Sequence, residues 1–277
     1  MVPAQENALR PLAQKRNVWN PMLIAQISDT HLIQPEGDES RTLGRVAALE
    51  AFVAHMGEID EKPDLILHTG DVTQDGKPEE YQAARSMMSD LDIPVHFALG
   101  NRDRGANLVE GLEGLGQAKM VEGFLIYSVE GFPVRLIAMD TQNRESRIGT
   151  TCSVRLCLLE ELLKEQPDRP TALFMHHPPF EVTTSKYPFQ FDDPVLADAF
   201  LRLIAEHKQV VHLFCGHMHR PYAVDLATCS ASVTPSLPPD NRLGEYPAGW
   251  EDRPLFQLHR WIPERRRFET RLNAVGG

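Results

Sequence analysis

No apolar stretch in this 277-residue chain approaches the roughly 18 residues a helix needs to cross a bilayer; runs such as 209–215 (QVVHLFC) are far shorter. The expectation is therefore a soluble protein with no membrane partner. Residues 1–21 hold prolines and a few charges but no continuous apolar middle, so they lack the core of a secretory leader and read as a loosely ordered extension. Cysteine is scarce. The four present, Cys152, Cys157, Cys215 and Cys229, show neither CxxC pairing nor the density of a disulfide scaffold, which leads to the expectation of a reducing, cytoplasmic setting. Positive charge is also in deficit, 28 Lys and Arg against 39 Asp and Glu, a formal net charge of -11. Such a balance opposes attraction to a polyanion and makes a nucleic acid polymer a disfavoured partner, although bound cations would reverse the field at one site. No internal repeat is present.

What the chain does have is a recurring unit: a short apolar run, a polar or glycine-containing turn, then an amphipathic stretch. This pattern predicts an α/β layered fold. Strands are expected over 22–27, 64–68, 94–98, 124–129, 134–139, 171–175 and 210–214, all too short for complete helices. Val46, Leu49, Val53 and Met56 recur at helical spacing after Ser40, a candidate N-cap. A second helix is expected after Lys77, with Pro78 in its first turn and Glu79 and Glu80 complementing the dipole. A third should begin near Ser153 with Val154, Cys157, Leu158 and Leu162 on its inner face, and a fourth should cover about 194–207. Residues 231–254 are rich in proline and polar groups, which predicts an irregular segment, an ordered loop or a flap, and 255–262 with 267–272 predict a terminal hairpin. The length fits one domain, 22–277, behind the 1–21 extension.

Groups that can bind metals fall just after the predicted strands, where loops converge at one edge of a sheet and where open α/β sheets bind ligands. Asp29 and His31 follow the first strand, and residues two apart in extended chain face the same side. Gly70 and Asp71 follow the second; the glycine permits a tight turn and the carboxylate has two oxygens with which to bridge two cations. Gly100-Asn101-Arg102-Asp103, His176-His177-Pro178-Pro179 and Gly216-His217-Met218-His219 follow three more. Singly each has a bland reading as a turn, cap or rigid loop. Together, in order and each at a strand end, they predict a metal centre. Carboxylate, amide and imidazole suit manganese, iron, zinc or cobalt and are poor for calcium. Two such ions about 3.5–4 Å apart can hold a phosphate and lower the pKa of a bridging water, which is hydrolysis of a phosphoester.

These motifs resemble the calcineurin-like metallophosphoesterases, whose pattern runs DxH, GD, GNH(D/E), a later His and GHxH, over about residues 22–222. QISDTHLIQPEG, PDLILHTGDVTQDGKPEEYQAAR and MHHPPF are most similar to bacterial class III cyclic nucleotide phosphodiesterases and related glycerophosphodiesterases. The resemblance implies a four-layer αββα sandwich of two mixed β-sheets flanked by helices. It also implies two metal ions, one on Asp29, His31 and His219, the other on Asn101, His176 and His217, with Asp71 bridging. His177 would support the ligands from behind. Asp71, Asn101, Arg102 and His177 are then the candidate catalytic residues, and Asn101, Arg102 and His217 the candidate contacts to substrate.

One position departs from the pattern. Arg102 stands where the family has histidine, and a guanidinium cannot give up a proton, though it can donate two directed hydrogen bonds to a phosphoryl oxygen. The competing reading is a surface arginine paired with Asp103 or another acid. Protonation of the leaving group would then fall to water or to His177. Asp140 and Thr141 follow another strand and have either a site or a turn role. The expected activity is hydrolysis of a small phosphodiester, with a phosphomonoesterase or a non-catalytic metal-binding scaffold as alternatives; a homo-oligomer is allowed for, since the family includes oligomers.

Overall fold

The computed structural model describes residues 20–33 and 39–277. All but the end of the expected 1–21 extension lies outside the described residues.

Two mixed β-sheets form the centre of the molecule. In the first, β1 (Met22–Ile27), β2 (Leu65–His68) and β3 (Val95–Phe97) run parallel, and the terminal hairpin of β12 (Leu255–Ile262) and β13 (Arg267–Ala274) joins antiparallel beside β1, giving the order β13-β12-β1-β2-β3. Parallel strands covered on both faces need near-continuous apolar sequence, and MLIAQI and LILH are buried at every position. The second sheet contains β6 (Tyr127–Val129), β7 (Arg135–Ala138), β8 (Thr171–Phe174), β9 (Val210–Cys215), β10 (Tyr222–Asp225) and β11 (Ser230–Val233), in the order β10-β11-β9-β8-β7-β6. A ribbon of β4 (Met120–Val121) and β5 (Phe124–Leu125) stands apart.

Helices flank the sheets. Leu49, Phe52 and Met56 of α1 (Glu39–Glu58) and Ala84 and Met88 of α2 (Pro78–Met88) share a core with Ile24, Leu67 and Phe97 of the first sheet and Leu136, Phe174 and Phe214 of the second. Leu159 and Leu163 of α4 (Ser153–Glu165) and Phe200 and Ile204 of α5 (Pro194–Glu206) pack on the far face of the second sheet, against Ile137, Leu173 and Leu213. A short helix α3 (Gly105–Gly111) follows the β3 turn. At the start of α2, Pro78 is in the first turn and the Glu80 carboxylate accepts from the backbone N–H of Lys77 (3.0 Å) and Asp75 (3.2 Å).

Three expectations are corrected. Ser40 lies inside α1, which begins at Glu39. The inner face of α4 is Arg155, Leu159 and Leu163; Val154 and Cys157 are exposed. Leu156, Leu158, Leu159, Leu162 and Leu163 spread over a broad arc of the helix, so periodicity did not fix its rotation, and a buried arginine disguised the face. Residues 231–233 belong to β11, between β10 and β9, and the following 234–238 are buried. That segment crosses from the second sheet to the first, where Leu237 N donates to Ser28 O and Leu255 N to Leu237 O. Of the two readings the ordered connection holds for this part, and the flap does not. Only its later part, beyond Pro239, is mostly exposed.

Candidate metal centre

Every expected ligand group follows the carboxyl end of a strand: Asp29 and His31 after β1, Asp71 after β2, Asn101 after β3, His176 after β8, and His217 with His219 after β9. Because β1, β2 and β3 are parallel neighbours, as are β8 and β9, these ends line up on one edge. Pairing even continues past the strands, with Asp29 N donating to Gly70 O and His31 N to Asp71 O, both at 3.0 Å. Asp29, His31, Asp71, His217 and His219 all take positive φ, between 46° and 68°. Left-handed backbone at non-glycine residues costs about 1–2 kcal/mol each and persists only where the surroundings enforce it. Here it turns the side chains inward. Glycine is required nearby for another reason. A Cβ on Gly100 would stand 2.1 Å from Asp71 N, and one on Gly70 would stand 2.7 Å from His176 Nδ1.

The side chains meet. His31 Nε2 lies 3.6 Å from Asp71 Oδ2 and 3.7 Å from Asp29 Oδ1. His219 Nε2 lies 3.2 Å from Asp29 Oδ1 and 3.3 Å from His31 Nε2. His176 Nε2 is 3.5 Å from Asp71 Oδ2, 3.3 Å from Asn101 Oδ1 and 3.3 Å from His217 Nδ1. Among the described residues, Asp29, His31 and His219 form one group able to hold a cation, Asp29, Asp71 and His176 another, and His176, His177 and His217 a third.

Hydrogen bonds outside the cluster fix which ring nitrogens face in. His176 Nδ1 donates to Thr69 O (2.8 Å), His219 Nδ1 to Asn241 O (2.8 Å), and His217 Nε2 to Gln190 Oε1 (3.2 Å). When the rings are neutral, as a bound cation requires, each bond leaves the other nitrogen as a lone pair facing the cluster. The convergent set is therefore all acceptors: imidazole nitrogens, carboxylates and an amide oxygen. Asp29 Oδ1 is buried among the inner nitrogens of His219 (3.2 Å), His31 (3.7 Å) and His176 (3.9 Å) and has no hydrogen-bond donor once these rings are neutral. A buried, orphaned carboxylate oxygen among lone pairs is costly by itself and is satisfied by cations, so the residues fit a metal pair. The electrostatics agree. Burial works to raise both carboxyl groups, yet His219 and His176 hold Asp29 well below the ordinary range, and His176 with His31 holds Asp71 at about 2. Burial likewise works against the charged form of His176, but Asp71 and Asp29 raise it to about 9. The acidic pair attracts positive charge.

Arg102 and His177 both lie beside the cluster, Arg102 without the Asp103 ion pair that was its competing reading. Asp103, the suggested partner of Arg102, is fully buried and accepts from Gly100 N (3.0 Å), Tyr81 Oη (2.9 Å) and the Val72 and Thr73 N–H groups (both 3.3 Å). Burial and the charge of Asp71 push it up to about 6. Arg102 N donates to Asp71 Oδ1 at 2.7 Å, while its half-buried guanidinium makes no ion pair or hydrogen bond among the described residues. The surface ion pair is thus absent there. His177 is fully buried, and burial first, then the nearby His217 and His176, keep it neutral. Its Nε2 donates to Arg147 O (3.1 Å) and its Nδ1 accepts from Thr141 Oγ1 (3.0 Å). With both nitrogens engaged, it is placed as a clamp on the 142–149 loop and not as a proton donor. Thr141 has its role through that clamp, and Asp140 accepts from Leu125 N and Gln142 N.

Sequence reading missed Gln190 and Gln26. Gln26, buried in β1, donates to Thr69 Oγ1 (3.0 Å) and to Cys215 O (2.9 Å), tying the two sheets together beneath the ligand loops. Glutamine in an apolar strand was the available signal. Gln190 had none.

Comparison with known proteins gives the same direction. The model of the calcineurin-like phosphoesterase family matches residues 22–221. A probable glycerophosphodiester phosphodiesterase from Arcobacter nitrofigilis is 29% identical over 247 residues, covering 88% of this chain and 90% of the relative. A probable cyclic nucleotide phosphodiesterase from Synechococcus is 30% identical over 241 residues, covering 86% and 89%. The fold matches a dimetal phosphatase from Danio rerio with a TM-score of 0.63, at 15% identity, over 91% of this chain and 95% of the other.

Proposed function

Because the chain belongs to the calcineurin-like phosphoesterase family, we propose that it hydrolyses small phosphodiesters, of the glycerophosphodiester or cyclic nucleotide class, at a pair of metal ions. The observation that carries this reading is the convergent all-acceptor cage with its orphaned Asp29 oxygen. Asp29, His31 and His219 would hold one ion, Asn101, His176 and His217 the other, and Asp71 both. Such ions, of manganese, iron, zinc or cobalt, supply Lewis-acid charge that offsets negative charge building on the phosphoryl oxygens. The chain's own residues orient the reaction. Thr69, Asn241 and Gln190 hold the imidazoles in ligating tautomers, so little reorganisation remains when substrate arrives. Purified protein with added manganese should cleave bis(p-nitrophenyl) phosphate faster than p-nitrophenyl phosphate, and EDTA should abolish both rates. Faster turnover of the monoester would select a phosphomonoesterase. A metal-free, inactive protein across several divalent ions would select a scaffold.

Arg102 is the proposed donor to a phosphoryl oxygen, since its backbone N–H holds it beside Asp71 and its guanidinium makes no ion pair or hydrogen bond among the described residues. Hydrogen bonds from charged groups contribute about 1.5–3 kcal/mol. Arg102→Ala should therefore lower kcat/KM about 10- to 100-fold on diesters with good and with poor leaving groups. Negligible, equal losses on both would remove Arg102 from the reaction.

A further inference from the structure

We propose, building on the diesterase reading above, that the cavity beside Asn101 binds a second anionic group of the substrate, so that this chain prefers phosphodiesters with an additional phosphate or carboxylate on the retained arm. The cavity measures about 730 Å³ and has Asn101 in its wall, so it opens on the metal centre. That size accommodates the arm of a nucleotide. It lies between two pieces of chain. The turn after β3 contributes Arg104, and the 142–149 loop contributes Arg144 and Arg147. Glu145 is the one acid in the lining, leaving three cations against one anion.

This local balance is the reverse of the whole chain, in which acids outnumber bases 39 to 28. None of the three arginines forms an ion pair among the described residues. Arg104 donates to Asp103 O and Arg144 to Gly123 O, both backbone carbonyls, and Arg144 has only a longer-range attraction to the buried Asp140. A positive cavity on a net negative protein gives an anionic substrate a favourable approach, and guanidinium groups match phosphate and carboxylate oxygens in pairs.

The loop that presents them is built, not loose. Gln142 Nε2 donates to Gly100 O (2.7 Å) and Asp103 O (3.0 Å), fastening the two walls together at the cavity floor. The buried Arg155 donates to Gln142 O (2.7 Å) and Thr150 O (3.0 Å). His177 donates to Arg147 O, and Gly149 exchanges backbone bonds with Gln190 O (2.9 Å) and Asp192 N (2.8 Å). With the backbone fixed at 142, 147, 149 and 150, binding an anion does not have to order the loop. The clamp also couples this wall to the metal centre, since His177 is next to His176.

The test uses two chromogenic diesters that differ by one group: the p-nitrophenyl ester of thymidine 5′-phosphate, and the same ester carrying a 3′-phosphate. On the full chain with manganese, kcat/KM should be about tenfold or more higher for the 3′-phosphorylated ester, mostly through KM. In R104Q/R147Q that ratio should fall below about threefold, and binding of thymidine 3′,5′-bisphosphate measured by calorimetry should weaken by a similar factor. Hydrolysis of both esters with a wild-type ratio near one overturns the cavity proposal and leaves the diesterase reading standing. Hydrolysis of neither ester, with the bisphosphate bound by the wild type and released by R104Q/R147Q, overturns the diesterase reading and keeps the cavity.

Discussion

Asp71→Asn is expected to lower phosphodiester hydrolysis by at least about 10³-fold, a loss of roughly 4 kcal/mol of transition-state stabilisation, and to reduce the metal content of the purified protein. The carboxylate lies between the two halves of the cage, its Oδ2 3.6 Å from His31 Nε2 and 3.5 Å from His176 Nε2. Asparagine keeps the shape but offers one oxygen in place of two and no charge, so it cannot serve two cations as a shared anion. Folding should survive. In the metal-free protein burial and the nearby Asp29 work to raise Asp71, but the imidazoles of His176 and His31 more than offset both and hold it at about 2. Removing the charge gives up this net favourable pairing, so the chelated variant should melt several degrees below the chelated wild type while still folding. Metal analysis and melting curves separate the two effects. Two tightly held ions per chain with activity within about tenfold of wild type would remove Asp71 from the centre.

The cage could be read from sequence because each ligand group follows a contiguous apolar run, and Asp29, Asp71, Asn101, His176 and His217 announce themselves by type. The strands were legible for the same reason: MLIAQI, LILH and VVHLFC are local signals. What was not legible depends on distance. The bond from Gln26 to Cys215 O joins positions 189 residues apart, and Gln190 reaches His217 from a loop with no periodicity. β11 was hidden because Ser230–Val233 is short, half polar and followed by a proline; it forms only because β9 offers a parallel edge. In α4 the broad arc of leucines left the rotation to be decided by Arg155, whose guanidinium serves the 142–150 loop. The positive φ values at the ligands are equally tertiary, since only pairing between the two turns enforces them. Sequence thus carried the chemistry of the site, while the supports that orient it came from packing.

Among those supports is an acid-sensitive pair whose effect on stability should be large. His212 and His259 are buried between the sheets, ring centroids 6.0 Å apart. His259 Nε2 donates to Gln26 Oε1 (2.9 Å) and its Nδ1 accepts from Thr270 Oγ1 (2.8 Å), while His212 bonds Ser230 Oγ (2.7 Å) and Ser232 Oγ (2.8 Å). Burial, with a smaller contribution from Arg267, lowers His212 to about 3; burial, with His212 beside it, holds His259 well below its ordinary value. An unfolded chain protonates both near pH 6.5. Between that pH and the folded value the unfolded state binds protons the native state refuses, so stability is full above about pH 7 and falls as the pH drops. From pH 7 to pH 5 the loss should be about 2 kcal/mol for each histidine. Urea midpoints at the two pH values measure it, and His259→Gln isolates the cause. The ligand histidines titrate alike in both proteins, so the variant should lose about 2 kcal/mol less than wild type over the same interval. An identical pH dependence would show that His259 is not the sensitive group. The consequence extends to the site, because His259 fixes Gln26 and Gln26 holds Cys215 O, two residues before His217. Protonating this pair would therefore loosen the junction between the sheets on which the second half of the cage is mounted.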